Sequence, residues 1–410
     1  MGISDGFYQF EVRDSRMSGS IFVIQYSLLV IHFFIPFYTI LHRMNRIFLL
    51  YTLLFLTAML ACSKKEMISY PASSGLIQWH GRTVRDPSGN QLLISSASSL
   101  GFRFVGDQCR VWVKNIAPPK EYNYISVVLD GIRQARQAIR FDSFSAIEII
   151  PVTKSPFHDV EIYKETEAVL GGIVIQSIEA DSLVPRPKKI RKKIEFIGNS
   201  ITVGMSDDPS LVPCDHGNWF DQHNAYDAYG PRIARALDLD FMISGVSGIG
   251  IYRNWNSEGP VMGEVYEQEF MNGNPNGLPW DVKQFIPDVV TICLGTNDIY
   301  EGDHVTPRKP FDSSMLIDAY VAFIKKIHNY YPEASIMLIN TPMENNYNTD
   351  ILNRCLVTIK EKVQVSIENL KPVSIFTFTK FHLSGCGGHP DVQDHKRMAD
   401  ELLPVIQKLL

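Results

Sequence analysis

The chain has 410 residues, 45% of them hydrophobic and 20% charged, which is ordinary globular composition with length enough for two cores. Its formal net charge of −5 creates no basic field able to gather nucleic acid or acidic lipid, so nucleic acid is excluded as an expected partner.

The chain opens on apolar sequence. Residues 21–41 run IFVIQYSLLVIHFFIPFYTIL, uncharged and just long enough to cross a bilayer as a helix. The stretch HRMNR (42–46) interrupts them, and a second apolar run, 47–61, ends in Met59, Leu60 and Ala61 just before Cys62. Read from Met44, this is a cationic start, an apolar stretch and a small residue before a cysteine, which resembles a bacterial lipoprotein signal over 44–62 with Cys62 as the lipidated residue. Residues 1–43 are then a hydrophobic extension upstream of the true start; the alternative is a membrane helix at 21–41, paired with 47–61. Either reading expects an exported, membrane-anchored protein, periplasmic or at the cell surface, held by lipid on Cys62 or by an N-terminal helix.

Beyond Cys62 the cysteines are Cys109, Cys214, Cys293, Cys355 and Cys386. Their spacing fits no zinc pattern, and no metal or cofactor is expected. Export permits disulfides, and Cys214 and Cys386 lie in loops that could meet. The simpler expectation is that all five are small buried hydrophobes.

Residues 63–74 read as a linker. From 75 to 188 short apolar segments alternate with turn residues, among them GLIQWHGRTV, SLGFRFVG, CRVWVKNI, YNYISVVLDG and HDVEIYKET. About eight strands so spaced predict an all-β jelly-roll sandwich. The stretch PRPKK (185–189) marks a boundary, after which strands and helices alternate. Strands are predicted over 194–197, 240–243, 289–294, 334–339 and 373–378, and helices over 223–237, 313–330, 349–370 and 391–410. Such alternation over 189–410 predicts a three-layer α/β domain of flavodoxin-like kind, with its parallel sheet covered on both faces and its chemistry at the carboxyl ends of strands.

Four of those segments carry the chemistry. The first strand runs into GNSITVG (198–204), placing Ser200 on the turn after a strand, where a hydrolase nucleophile is exposed. The next ends in SGVSGIG (244–250), whose small residues let backbone N–H groups approach a ligand. The third ends in LGTND (294–298), and GCGGHP (385–390) sets His389 in a loop before the last helix.

In this order the segments resemble the four blocks of the SGNH/GDSL hydrolases. The resemblance implies that Ser200 attacks an ester carbonyl while His389 acts as general base and then acid. It further implies an oxyanion hole made by the N–H groups of Ser200 and Gly248 and the side-chain amide of Asn297. Gly245 competes with Gly248, which is preferred because Ser247 and Gly248 fit the family's second block better. There are two departures: Asn199 stands where the family usually has Asp, and Cys386 stands where its usual aspartate precedes the histidine. A Ser–His dyad, with a backbone carbonyl orienting the imidazole, is therefore expected, and Asp391 is expected to cap the final helix.

The β domain narrows the substrate. WHGR (79–82), VLDG (128–131) and YKETEA (163–168), leading into KKIEFIGNSIT, resemble carbohydrate esterase family two. That resemblance implies removal of acetyl groups from polysaccharides of the xylan or glucomannan type. Trp255 is the leading candidate for a sugar-stacking platform, although packing is the commoner use of a tryptophan, and Trp219, Trp280 and Trp79 rank below it. His80, His216, His223, His382 and His395 are expected at the surface or in packing. The competing readings are a carbohydrate-binding relative with weak or no catalysis, and a lipase or thioesterase of the same superfamily.

Overall fold

Ser99–Ile116 is a single strand of 18 residues, although SLGFRFVG and CRVWVKNI read in sequence as two separate segments. It is held straight through by Gly172–Val184, which pairs with it antiparallel from Ile116 back to Arg103. The register slips between Ile175 and Ser177 and again between Ala180 and Ser182, and bulges of this kind let long strands bend without ending. These features belong to a computed structural model that describes residues 66–343, 347–380 and 382–410, together with Phe48 and Tyr51. The run 21–41 and Cys62 lie outside the described residues, as does the expected signal at 44–62 apart from Phe48 and Tyr51.

The predicted all-β domain is antiparallel throughout, from Ile68–Pro71 to Gly172–Val184. The two halves of the long strand have different neighbours. Ser99–Phe104 pairs with His158–Tyr163, and Cys109–Val113 pairs with Ser145–Ile149. Eleven strands thus join in one ladder around a core that includes Leu100, Phe102, Phe104, Val111 and Ile162.

The second domain contains five parallel strands in the order Asp240–Gly245, Lys193–Gly198, Val289–Cys293, Ser335–Ile339, Ser374–Phe376. Strand one lies between strands two and three, so the order reverses beside it and opens a crevice at its carboxyl end. That strand feeds two cores: Ile194 and Phe196 pack into one cluster and Ile197 into another. Ser313–Tyr330 and Tyr347–Ser366 pack together, as do Tyr229–Ala236 and Val392–Ile406. The helix predicted over 223–237 begins only at Tyr229. Upstream, the N–H groups of Ala225 and Tyr226 donate to the carbonyl and carboxylate of Glu165, at 3.3 and 2.8 Å, so tertiary partners replace the first helical turns.

Polar groups of the β domain are buried against the parallel sheet. Arg82 is fully buried and donates to Gln268 O at 2.7 Å, Tyr266 O at 3.2 Å and Ser244 Oγ at 3.0 Å. Glu195, on the strand Lys193–Gly198, supplies the opposing charge and accepts from Ser244 Oγ at 2.6 Å. Burial lowers the Arg82 guanidinium and raises the Glu195 carboxyl relative to their ordinary values. Such a pair costs desolvation but ties the two sheets to one arrangement.

Candidate active site

The Ser200 Oγ and the His389 Nε2 are 3.0 Å apart, joining chain positions separated by 189 residues. Ser200 begins the short helix Ser200–Val203 directly after the first parallel strand, with Asn199 capping that turn by accepting from Ile201 N. Asn199 therefore does the local work of the usual aspartate, while its own Nδ2 is buried without a partner. His389 follows the turn Cys386–Gly388 and precedes Val392–Ile406, which Asp391 caps by accepting from Asp394 N, as expected.

Among the described residues, no carboxylate is hydrogen-bonded to the imidazole. The Nδ1 of His389 makes no hydrogen bond of good geometry, although the backbone of Cys386 and Gly387 beside it favours the charged ring. Burial wins, and the ring titrates below the ordinary histidine value. Cys386, at the position of the family's aspartate, is bonded to Cys214 in a disulfide. This corrects the expectation that all the cysteines beyond Cys62 are free, because loops 172 residues apart in sequence meet beside the site. Cys109, Cys293 and Cys355 are free and buried, as expected.

The other two segments meet at the same crevice. Gly245 lies within the second strand, and a Cβ there would come within 2.7 Å of Val203, so its smallness serves packing. Gly248 instead has φ +76°, a left-handed conformation suited to glycine, and lines the cleft. Its carbonyl accepts from Trp255 N at 2.8 Å, whereas neither its N–H nor that of Ser200 has a hydrogen-bond acceptor among the described residues. Asn297 donates from Nδ2 to Ile249 O at 2.8 Å, which aims its amide along the same loop. Asp298 accepts from the N–H groups of Ile251, Tyr252 and Arg253 and so sets the curvature of the segment leading to Trp255.

These groups border one cleft of about 810 Å³, lined by Ser200, Gly248, Asn297, His389, Trp219 and Trp255 among others. Trp255 is 38% exposed and Trp219 43%, so two indoles stand at the rim where one was expected. Trp280 is buried beneath Arg82, and Trp79 packs against the β core.

A GDSL-like lipase/acylhydrolase family model matches residues 196–371, and a carbohydrate esterase 2 N-terminal model matches 79–187. The chain joins a carbohydrate esterase 2 N-terminal domain to a GDSL-type hydrolase domain. An acetylxylan esterase / glucomannan deacetylase of Cellvibrio japonicus is 29% identical over 226 residues, 54% of this chain and 60% of that protein. The cellulase/esterase CelE of Acetivibrio thermocellus is 27% identical over 357 residues, 82% of this chain but 39% of CelE. The chain thus spans less than two thirds of the length of both relatives. Among solved structures, a family two carbohydrate esterase from Clostridium thermocellum in complex with cellohexaose shares the fold, with TM-score 0.72 and 24% identity over 81% of this chain and 98% of that one. A family two esterase from Cellvibrio japonicus does so with TM-score 0.72 and 21% identity, over 84% and 98%.

Beside the hydrolase site, Glu167 was given no role by the sequence reading, His223 was expected only in packing or at the surface, and Trp219 ranked below Trp255 as a platform candidate. Glu167, His223 and Trp219 are linked there: Glu167 Oε1 lies 2.9 Å from His223 Nε2, and the Trp219 and His223 rings meet edge to face at 5.1 Å. The expectation for His223, packing or surface, accounts for its burial but not for its carboxylate partner. The sequence signal for Glu167 was the run of polar residues at 164–167, within the YKETEA segment that resembles carbohydrate esterase family two.

Proposed function

We propose that the chain is a carbohydrate O-acetyl esterase acting on acetylated polysaccharides of the xylan or glucomannan type. The observation that carries this reading is the 3.0 Å contact of Ser200 Oγ with His389 Nε2 at the mouth of a cleft bordered by unspent N–H groups. The relatives' names, acetylxylan esterase and glucomannan deacetylase, support the substrate class.

Ser200 Oγ attacks the acetyl carbonyl as its proton passes to Nε2 of His389. The carbonyl oxygen takes the negative charge and is met by the N–H groups of Ser200 and Gly248 and the amide of Asn297. As the C–O bond to the sugar breaks, His389 gives its proton to the departing hydroxyl, leaving an acetyl-serine. Water then repeats the sequence with His389 as base, releasing acetate and restoring Ser200. The depressed ring basicity keeps His389 neutral at neutral pH, which is the form this first step needs. A dyad suffices because the backbone at Cys386 and Gly387 stands where the carboxylate would, at the cost of weaker support for the imidazolium.

Acetate release from an aryl acetate, acetylated xylan and acetylated glucomannan tests this directly. Ser200→Ala and His389→Ala are each expected to abolish it, and undiminished release by both variants would sink the proposal. The protein is further read as exported and lipid-anchored at Cys62. The apolar run ending at that cysteine supports this, as does a disulfide suited to an oxidising compartment. Incorporation of labelled palmitate that is lost in Cys62→Ser is the expected result.

A further inference from the structure

We propose that Glu167, supplied by the β domain, is a positioning residue of the esterase site that holds the oxyanion loop through Ser247. The inference rests on the esterase reading above and concerns how the site is completed.

Residues 164–167, Lys-Glu-Thr-Glu, leave the strand His158–Lys164, and all four are fully buried. Four consecutive buried polar side chains are costly unless each has partners. Lys164 donates from Nζ to the carbonyls of Thr166 and Glu167 at 2.8 and 2.9 Å, clamping the turn, and burial pushes its ammonium down to about 7. Thr166 Oγ1 donates to Asn123 Oδ1 within the β domain. Glu165 pairs with Arg133 at 2.9 Å and accepts from Tyr226 N.

Glu167 alone is turned to the hydrolase loop. Its Oε2 accepts from Ser247 N at 2.7 Å, and its Oε1 accepts from Ser247 Oγ at 2.6 Å and lies 2.9 Å from His223 Nε2. Short charge-assisted contacts of this kind are the strong ones. They fix both the backbone and the side chain of the residue immediately before Gly248, and the orientation of the Gly248 N–H is set by rotation about that residue. The far side of the same loop is fixed by Trp255 N on Gly248 O and by Asn297 on Ile249 O. Without the carboxylate, the loop is held from one side only. A donor misplaced by a fraction of an ångström stabilises the developing oxyanion poorly while leaving ground-state binding nearly unchanged. The charge of Glu167 also favours the protonated ring of His389, an effect that neighbouring His223 opposes.

The test uses the full chain with an aryl acetate as substrate. Glu167→Ala is expected to lower kcat about 10- to 100-fold with KM within about twofold, the signature of a loss confined to the transition state. Glu167→Gln keeps an acceptor for Ser247 N and is expected to recover kcat to within about fivefold of the parent. Wild-type kcat in Glu167→Ala, or a loss carried by KM alone, overturns the proposal. Should that variant fail to fold, Glu167→Gln and Ser247→Ala read the contact in parts, the latter removing only its hydroxyl half with an expected loss of about 3- to 10-fold in kcat, and an unchanged kcat in both overturns the proposal. Ser200→Ala run in parallel separates the two failures, since it reports on the esterase reading and not on the loop.

Discussion

The carboxyl edge of the parallel sheet and the polar turn that the β domain sets against it treat their hydrogen-bonding groups in opposite ways. At the edge, Asn199 Nδ2, Thr296 Oγ1 and His389 Nδ1 are buried and unpaired, and the N–H groups of Ser200 and Gly248 have no acceptor among the described residues. In the turn at 164–167, no side-chain nitrogen or oxygen is left unpaired. Unsatisfied buried polar groups are rare in native proteins and gather where a ligand completes them. The difference teaches which region is scaffold and which awaits a substrate: the turn has spent its bonding capacity on holding the loop, and the edge has kept its capacity in reserve.

The sharpest way to break that comparison is to remove the side-chain donor proposed for the oxyanion hole. Asn297→Ala is expected to lower kcat about 10²- to 10³-fold on an aryl acetate, with a much smaller change in KM. A loss below about threefold would show that the edge is not preorganised for a developing oxyanion. Next comes the tie between Cys214 and Cys386, which anchors the loop carrying His389. Cys214→Ser is expected to cost about 2–4 kcal/mol of stability, seen as a lower Tm. It should also cost about tenfold in kcat/KM if the tie places the base as well as stiffening the fold.

The pH profile sharpens the comparison further. Burial depresses the His389 ring, and the proposed mechanism uses the neutral ring, so kcat/KM should hold on the acid side to a pH below the ordinary histidine value of about 6.5 and only then fall. An acid limb above about pH 7 would mean that a charged partner supports the ring after all. The smallest effect is expected at the rim. Trp255→Ala should raise KM about 3- to 10-fold on acetylated polysaccharide and leave aryl acetate kinetics unchanged, because only the glycan reaches an indole platform.

The four hydrolase segments were legible because three of the chemical groups follow the end of a strand, the histidine precedes the last helix, and all lie beside small residues. Ser200 follows Gly198, Asn297 follows Gly295, and His389 follows two glycines. Local demands of that kind leave a mark in the order of residues. The helix over 313–330 was equally readable, and Ser313–Tyr330 matches it, since Asp312 caps an amphipathic run. The start of the helix at Tyr229 and the continuity of Ser99–Ile116 were not readable, because each depends on a partner far away in the chain, and the Cys214–Cys386 bond was legible only as two loops that could meet.

Sequence by itself determined the two-domain plan, the alternation that yields a parallel sheet, and the Ser, Gly, Asn and His on its carboxyl edge, since these follow from periodicity and from backbone conformations that few residues tolerate. Tertiary structure alone decided that Glu167 reaches Ser247 across 80 residues of chain, that Trp219 joins Trp255 at the rim, and that a disulfide stands where a carboxylate is usual. The physical reason is that a buried charge or thiol is given its meaning by what burial brings within 3 Å of it, and no local pattern encodes that neighbour.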